Sequence, residues 1–232
     1  MKSRHAYPPL RRVYRLLFDH FGPQHWWPGR TRLEIMVGAI LTQNTAWSNV
    51  EKAIARLRKA HALNLRTLHG VTLEQLADWI RPAGYYNIKA RRLRAFTEMI
   101  YSRHHGRLEH LLAMATQPLR DELLAVNGIG PETADSMILY AADRPVFVID
   151  AYTRRFLSRH GWIEGTEAYD ELAHLFVACV QRDRRLYNEY HALVVALGKN
   201  LCRSRPNCAE CPLRVLLPPG GPPGMERISK KA

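Results

Sequence analysis

From Leu10 to Cys202 the apolar residues recur at spacings of three and four, the signature of helices that bury one face. "LEIMVGAILTQ" (33–43) is apolar on nearly every side, which places that helix inside a core. Leu10 to Phe21 forms an amphipathic first helix. "NVEKAIARLRKA", "NIKARRLRAFTEMIYSRH", "QPLRDELLAV", "ETADSMILYAA", "AYTRRFLSRHGW", "AYDELAHLFVACVQ" and "LYNEYHALVVALGKNLC" continue the helical period. "TLEQLADWIR" opens with Thr72 as N-cap and Gln75 three residues on, a capping box. "RPVFVI" is β-branched enough for a strand, but it is short and stands alone. No internal repeat is present, and the Pro- and Gly-rich 217–232 is expected to be a disordered tail. The fold class is therefore all-α.

Charge narrows the partner. Thirty-four basic against 21 acidic residues give a net +13, which attracts polyanions at long range and gains from counterion release on nucleic acid. The basic residues recur inside the chain, in "KARRLRAF" and "TRRF", as well as at its ends. No apolar run approaches the ~18 residues of a membrane span. The basic N-terminal stretch lacks the apolar core and cleavage site of a secretory signal, so an intracellular protein is expected, cytoplasmic and in the company of the nucleoid. Of four cysteines, Cys202, Cys208 and Cys211 fall within ten residues; without a secretory signal they read as metal or cluster ligands rather than disulfides. Cys179 lies in a helical pattern and reads as a small buried hydrophobe.

"VNGIGPETAD" (126–135) joins two helices by a short turn with glycines at 128 and 130, both free to take positive φ, and a proline suited to the first helical turn. Backbone N–H groups at such a turn and helix start suit a phosphate, and they position a backbone without reading bases. Taken alone the turn is better read as a plain connector. Twenty residues past Gly130, Asp150 follows the apolar run Val146–Ile149; a carboxylate there suits a helix N-cap and also a partly desolvated functional acid.

With these neighbours, "LLAVNGIGPETADSMILYAADRPVFVIDAYTRR" resembles the helix-hairpin-helix and aspartate signature of the endonuclease III superfamily of DNA glycosylases. "GAILTQNTAWSNVEKAIARL", "IRPAGYYNIKARRLRAF" and the terminal cysteines resemble further segments of that superfamily, so the likeness covers roughly residues 25–213. "WWPG" and "TQNTAW" are similar in particular to its bacterial 3-methyladenine DNA glycosylase branch. The resemblance implies two all-α domains. One is a helical barrel, 32–142, carrying the hairpin at 118–142; the other joins 1–31 to 143–216 and holds the cysteine loop. It implies a monomer that works on double-stranded DNA with a damaged base and needs no nucleotide cofactor. The damaged nucleotide is flipped out and its N-glycosidic bond cut. Asp150 matches the catalytic aspartate. Trp27 and Trp47 match aromatics that stack on the damaged base. Gln43 matches a residue that probes the DNA stack, and Gly128, Gly130, Thr133 and Arg154 join it as DNA contacts.

Members that also nick DNA use a lysine two residues after the second hairpin glycine; here that position is Glu132, which cannot form the imine. A monofunctional glycosylase is therefore expected, with an alkylated purine as substrate. Two alternatives stand beside it: a glycosylase–lyase acting on oxidised pyrimidines, and a hairpin protein that holds DNA without chemistry. The superfamily's loop carries four cysteines for a [4Fe–4S] cluster; this chain has Cys202, Cys208 and Cys211, with Leu217 at the fourth position. A three-cysteine cluster is the expectation, against another metal or none.

Overall fold

Twelve α-helices run through residues 8–223, the part of the chain that the computed structural model describes, with no strand among them. The chain divides into two units. One is continuous, Trp27–Arg144; the other combines residues up to Trp26 with those from Pro145 onward. These limits lie a few residues outside the 32–142 expected for the barrel. Trp27 packs against Gly38, Trp47 and Tyr140, and Arg144 donates to the carbonyl of Leu112, so both residues belong with the continuous unit.

In the continuous unit, α2 (Arg32–Leu41) buries every residue from Met36 to Leu41, as its all-apolar sequence requires. It packs against α3 (Trp47–Lys59), α6 (Tyr86–His104) and α9 (Pro131–Tyr140). The short helices α4 (Leu65–Gly70), α5 (Leu73–Trp79) and α7 (Leu108–Ala113) pack on α6, and α8 (Thr116–Leu124) packs on α9. Helix starts follow local chemistry: the side chains of Thr31, Asn64 and Thr72 accept from the N–H groups of Glu34, Thr67 and Gln75. Lys89 is 1% exposed, and its ammonium donates to the carbonyls of Leu41 (2.8 Å) and Ala83 (2.9 Å) and to the Thr45 hydroxyl (2.7 Å). It thereby satisfies the C-terminal carbonyl of α2 and the end of the 3-10 turn Arg81–Ala83. Burial, with a smaller contribution from Arg92, lowers its pKa to about 8.

The second unit packs α1 (Leu10–Phe21) against α12 (Arg184–Asn200), α11 (Tyr169–Cys179) and the 3-10 turn Pro212–Leu216, with α10 (Ala151–Arg159) also on α12. Phe147, Phe176, Tyr187 and Tyr190 form its aromatic centre, Phe147 stacking on Phe176 at 4.0 Å, and the Tyr190 hydroxyl donates to the Leu10 carbonyl. "RPVFVI" is not a strand. Phe147, Val148 and Ile149 are each 1% exposed or less with no neighbouring strand, and the Ile149 N–H donates to the Tyr169 hydroxyl. The apolar run reflects burial, not pairing. Cys179 is only half-buried. Residues 217–223, assigned to the tail by composition, form turns in which Leu217 and Pro222 line the cysteine cavity; 224–232 lie outside the described residues.

Candidate functional site

The hairpin of the continuous unit is α8, a turn and α9. A buried ion pair braces the two helices, Arg120 Nε donating to Asp135 Oδ1 at 2.7 Å. In the turn the two glycines serve different ends. Gly128 has φ +86°, and a Cβ there would sit 2.5 Å from Cγ and Nε of Arg92. Gly130 is extended (φ −94°), not in the left-handed region that its residue type allows, and a Cβ on it would meet nothing within 4 Å. It caps α9 without a side-chain bond, and Pro131 opens the helix. Glu132 is exposed in the first turn, while Thr133 is buried.

Gln43 is tied into this turn. Its Nε2 donates to the Gly128 carbonyl and to the Thr133 hydroxyl, both at 2.9 Å, and its Oε1 accepts from Arg92 Nη1. Three residues predicted as DNA contacts, Gln43, Gly128 and Thr133, therefore form one hydrogen-bonded group that Arg92 closes. Arg92 was not singled out in the sequence: it is one arginine in a basic run, and only its place over Gly128 distinguishes it.

Trp27 and Trp47 also come together. Their ring centroids lie 5.0 Å apart at 85°, with Tyr140 5.1 Å from Trp27. The indoles meet edge to face, so they are not two parallel plates. Gly38 lies close beneath Trp27: a Cβ there would come 3.3 Å from Trp27 Cζ2. Both indoles line a cavity of about 150 Å³ in this unit, with Pro28, Glu34, Glu51, Ile54 and Arg58. Glu34 is 5% exposed; Arg58 grips it through Nε and Nη2, and the Arg30 N–H donates to it as well.

In the other unit, Asp150 caps α10. Its Oδ1 accepts from the Thr153 N–H and hydroxyl, each at 2.7 Å, and its Oδ2 lies 3.7 Å from Nε2 of His191 on α12. Burial pushes this carboxyl up; His191 and the Thr153 bonds outweigh it and hold the group below its ordinary value. The sequence thus predicted both a cap and a desolvated acid, and Asp150 is both. His191 went unnoticed because a lone histidine 41 residues downstream has no local signature. Arg154 donates to the Glu167 carbonyl at 2.8 Å.

Cys202, Cys208 and Cys211 line one narrow crevice with Arg159, His160, Leu197, Arg214 and Leu217. Arg159 Nη1 donates to Cys202 Sγ at 3.2 Å. Burial, and then Cys202, push Cys208 up; burial, with smaller contributions from Cys202 and Cys208, raises Cys211. Among the described residues no three His, Cys, Asp or Glu side chains gather to hold a single ion. Leu217 supplies no donor. Three thiols on one cavity are one short of the four thiolates usual for a [4Fe–4S] cluster.

The model of the HhH-GPD superfamily of base excision DNA repair proteins matches residues 37–181. A presumed DNA repair glycosylase of Methanocaldococcus jannaschii is 45% identical over 207 residues, covering 88% of this chain and 94% of that protein. The Helicobacter pylori 3-methyladenine DNA glycosylase, solved with 1,N6-ethenoadenine, superposes with a TM-score of 0.70 at 31% identity, over 82% of this chain and 97% of that one. An endonuclease III in non-covalent complex with DNA shares the fold, with a TM-score of 0.79 at 22% identity over 97% and 100% of the two chains.

Proposed function

The chain belongs to the HhH-GPD superfamily of base excision DNA repair proteins, and from that premise we propose that this DNA glycosylase is monofunctional, hydrolysing the N-glycosidic bond of an alkylated purine with Asp150. The observation that carries the hydrolytic assignment is the state of Asp150. A buried carboxylate held ionised by His191 and Thr153 keeps a fixed negative charge at neutral pH. Such a charge stabilises an oxocarbenium-like sugar and orients or deprotonates the attacking water. The absence of lyase chemistry in this reading follows from Glu132 at the hairpin position, and from Lys89, whose three N–H donors are all engaged.

The purine assignment draws on the half-buried indoles of Trp27 and Trp47, and on the ethenoadenine complex of the H. pylori relative. Duplex DNA is gripped at the hairpin, where Gly130 leaves open space for a phosphate beside the start of α9. Cys202, Cys208 and Cys211 would hold a [4Fe–4S] cluster, which would tie the loop after α12 together.

Single-lesion duplexes, scored separately for free base and for strand nicks, test the reading. Base release without nicks or borohydride-trapped adduct is expected, and Asp150→Asn should keep duplex affinity while losing release. Nicking with trapped adduct would favour the glycosylase–lyase instead; no release from any lesion would leave a DNA-binding module.

A further inference from the structure

The indole cavity carries one charge that its own walls do not balance. On α3, Trp47, Glu51, Ile54 and Arg58 fall at spacings of four, three and four, so they share one stripe. On α2, Glu34 and Gly38 line the same cavity. Glu34 is neutralised by the two bonds from Arg58 and one from the Arg30 N–H. Glu51 lines the cavity, is exposed, and has no ion pair or hydrogen bond among the described residues. The cavity therefore bears a net negative charge, in a chain whose overall charge is +13. A carboxylate there adds nothing to the attraction of a polyanion. It does complement a cation, and the half-buried indole faces beside it attract cations too.

We propose that Glu51 makes the Trp27–Trp47 cavity selective for a nucleobase with formal positive charge, ranking N-alkylated purinium bases above neutral lesions. This rests on the reading of the protein as an alkylpurine glycosylase. Arg58 stays committed to Glu34, so the indoles supply the contact area and Glu51 supplies the preference for charge.

Wild type, Glu51→Gln and Glu51→Lys would be compared under single turnover on duplexes with one N7-methylguanine, a cationic base, or one 1,N6-ethenoadenine, a neutral one. The ratio of cationic to neutral release should fall about three- to tenfold in Glu51→Gln and further in Glu51→Lys, as removal of a partly exposed charge contact implies. Added salt should erode the wild-type ratio more than that of Glu51→Gln. A ratio unchanged in both variants overturns the proposal. If wild type releases neither base, the alkylpurine reading itself fails. The charge preference is then read from indole quenching by 7-methylguanosine against guanosine, at a slightly acidic pH. Stronger quenching by the methylated nucleoside in wild type than in Glu51→Gln supports the role of Glu51; equal quenching overturns it.

Discussion

The two hairpin glycines should respond to alanine in opposite ways. At Gly128 the backbone is left-handed, φ +86°, which costs a residue with a Cβ about 1–2 kcal/mol. The new methyl would also lie 2.5 Å from Arg92 Cγ, so that side chain must shift and release Gln43, a loss of about 1 kcal/mol for the hydrogen bond. Together these destabilise Gly128→Ala by about 2–3 kcal/mol, or a Tm lowered by roughly 5–10 °C for a chain of this size. Gly130 is extended with open space around it, so alanine fits and restricts the unfolded chain, a stabilisation of about 0.4–1 kcal/mol. If a DNA phosphate approaches that space, the same methyl weakens duplex binding. About tenfold is expected, equivalent to about 1.4 kcal/mol, with the log–log salt slope smaller by about one unit. Thermal melts and fluorescence-anisotropy titrations at several salt concentrations measure both arms. A Gly130→Ala protein that binds DNA as wild type does would refute the phosphate grip. A Gly128→Ala protein that melts at the wild-type temperature would refute the role given to Arg92.

Lys89→Met should destabilise the continuous unit by about 2–4 kcal/mol, because the carbonyls of Leu41 and Ala83 lose their buried donor; a melt within 2 °C or so of wild type would contradict this. The depressed Asp150 ionisation contributes stability that is present above the ordinary carboxylate range and lost as pH falls below it. His191→Ala should therefore raise the acid limb of the base-release profile and shift acid unfolding to higher pH, whereas unchanged profiles would separate His191 from Asp150. Glu132→Lys places an amine in the first turn of α9, and borohydride trapping of a covalent DNA adduct is the expected gain; no adduct from a folded, base-releasing variant would count against this position as the nucleophile's.

What could be read from the sequence was what is encoded over short distances. Thr72 and Asp150 each cap the helix that follows them, since a cap needs only its own side chain and the next turn. The all-α class followed from periodicity alone. "RPVFVI" misled because β-branching marks burial as readily as strand pairing, and only the packing around Phe147 decides between them. The relation of Trp27 to Trp47 was unreadable for a similar reason: an aromatic pair can be named from sequence, but its edge-to-face angle is set by the packing of separate segments. Arg92 and His191 acquire meaning from partners in distant segments and Glu51 from the cavity it lines, and nothing beside them in the chain announces this.

The interrupted unit has a consequence for how the chain is made. Leu10, Val13 and Leu17 of α1 find their cover on segments that include α12 and the turn at Pro212–Leu216. During synthesis, the continuous Trp27–Arg144 unit has all its own residues well before α12 leaves the ribosome. At 5–20 residues per second, α1 waits on the order of ten seconds or more with its apolar stripe uncovered. Over that interval the first helix is a standing target for chaperones and for aggregation, and the arrival of α12 and the Pro212–Leu216 turn withdraws it from both.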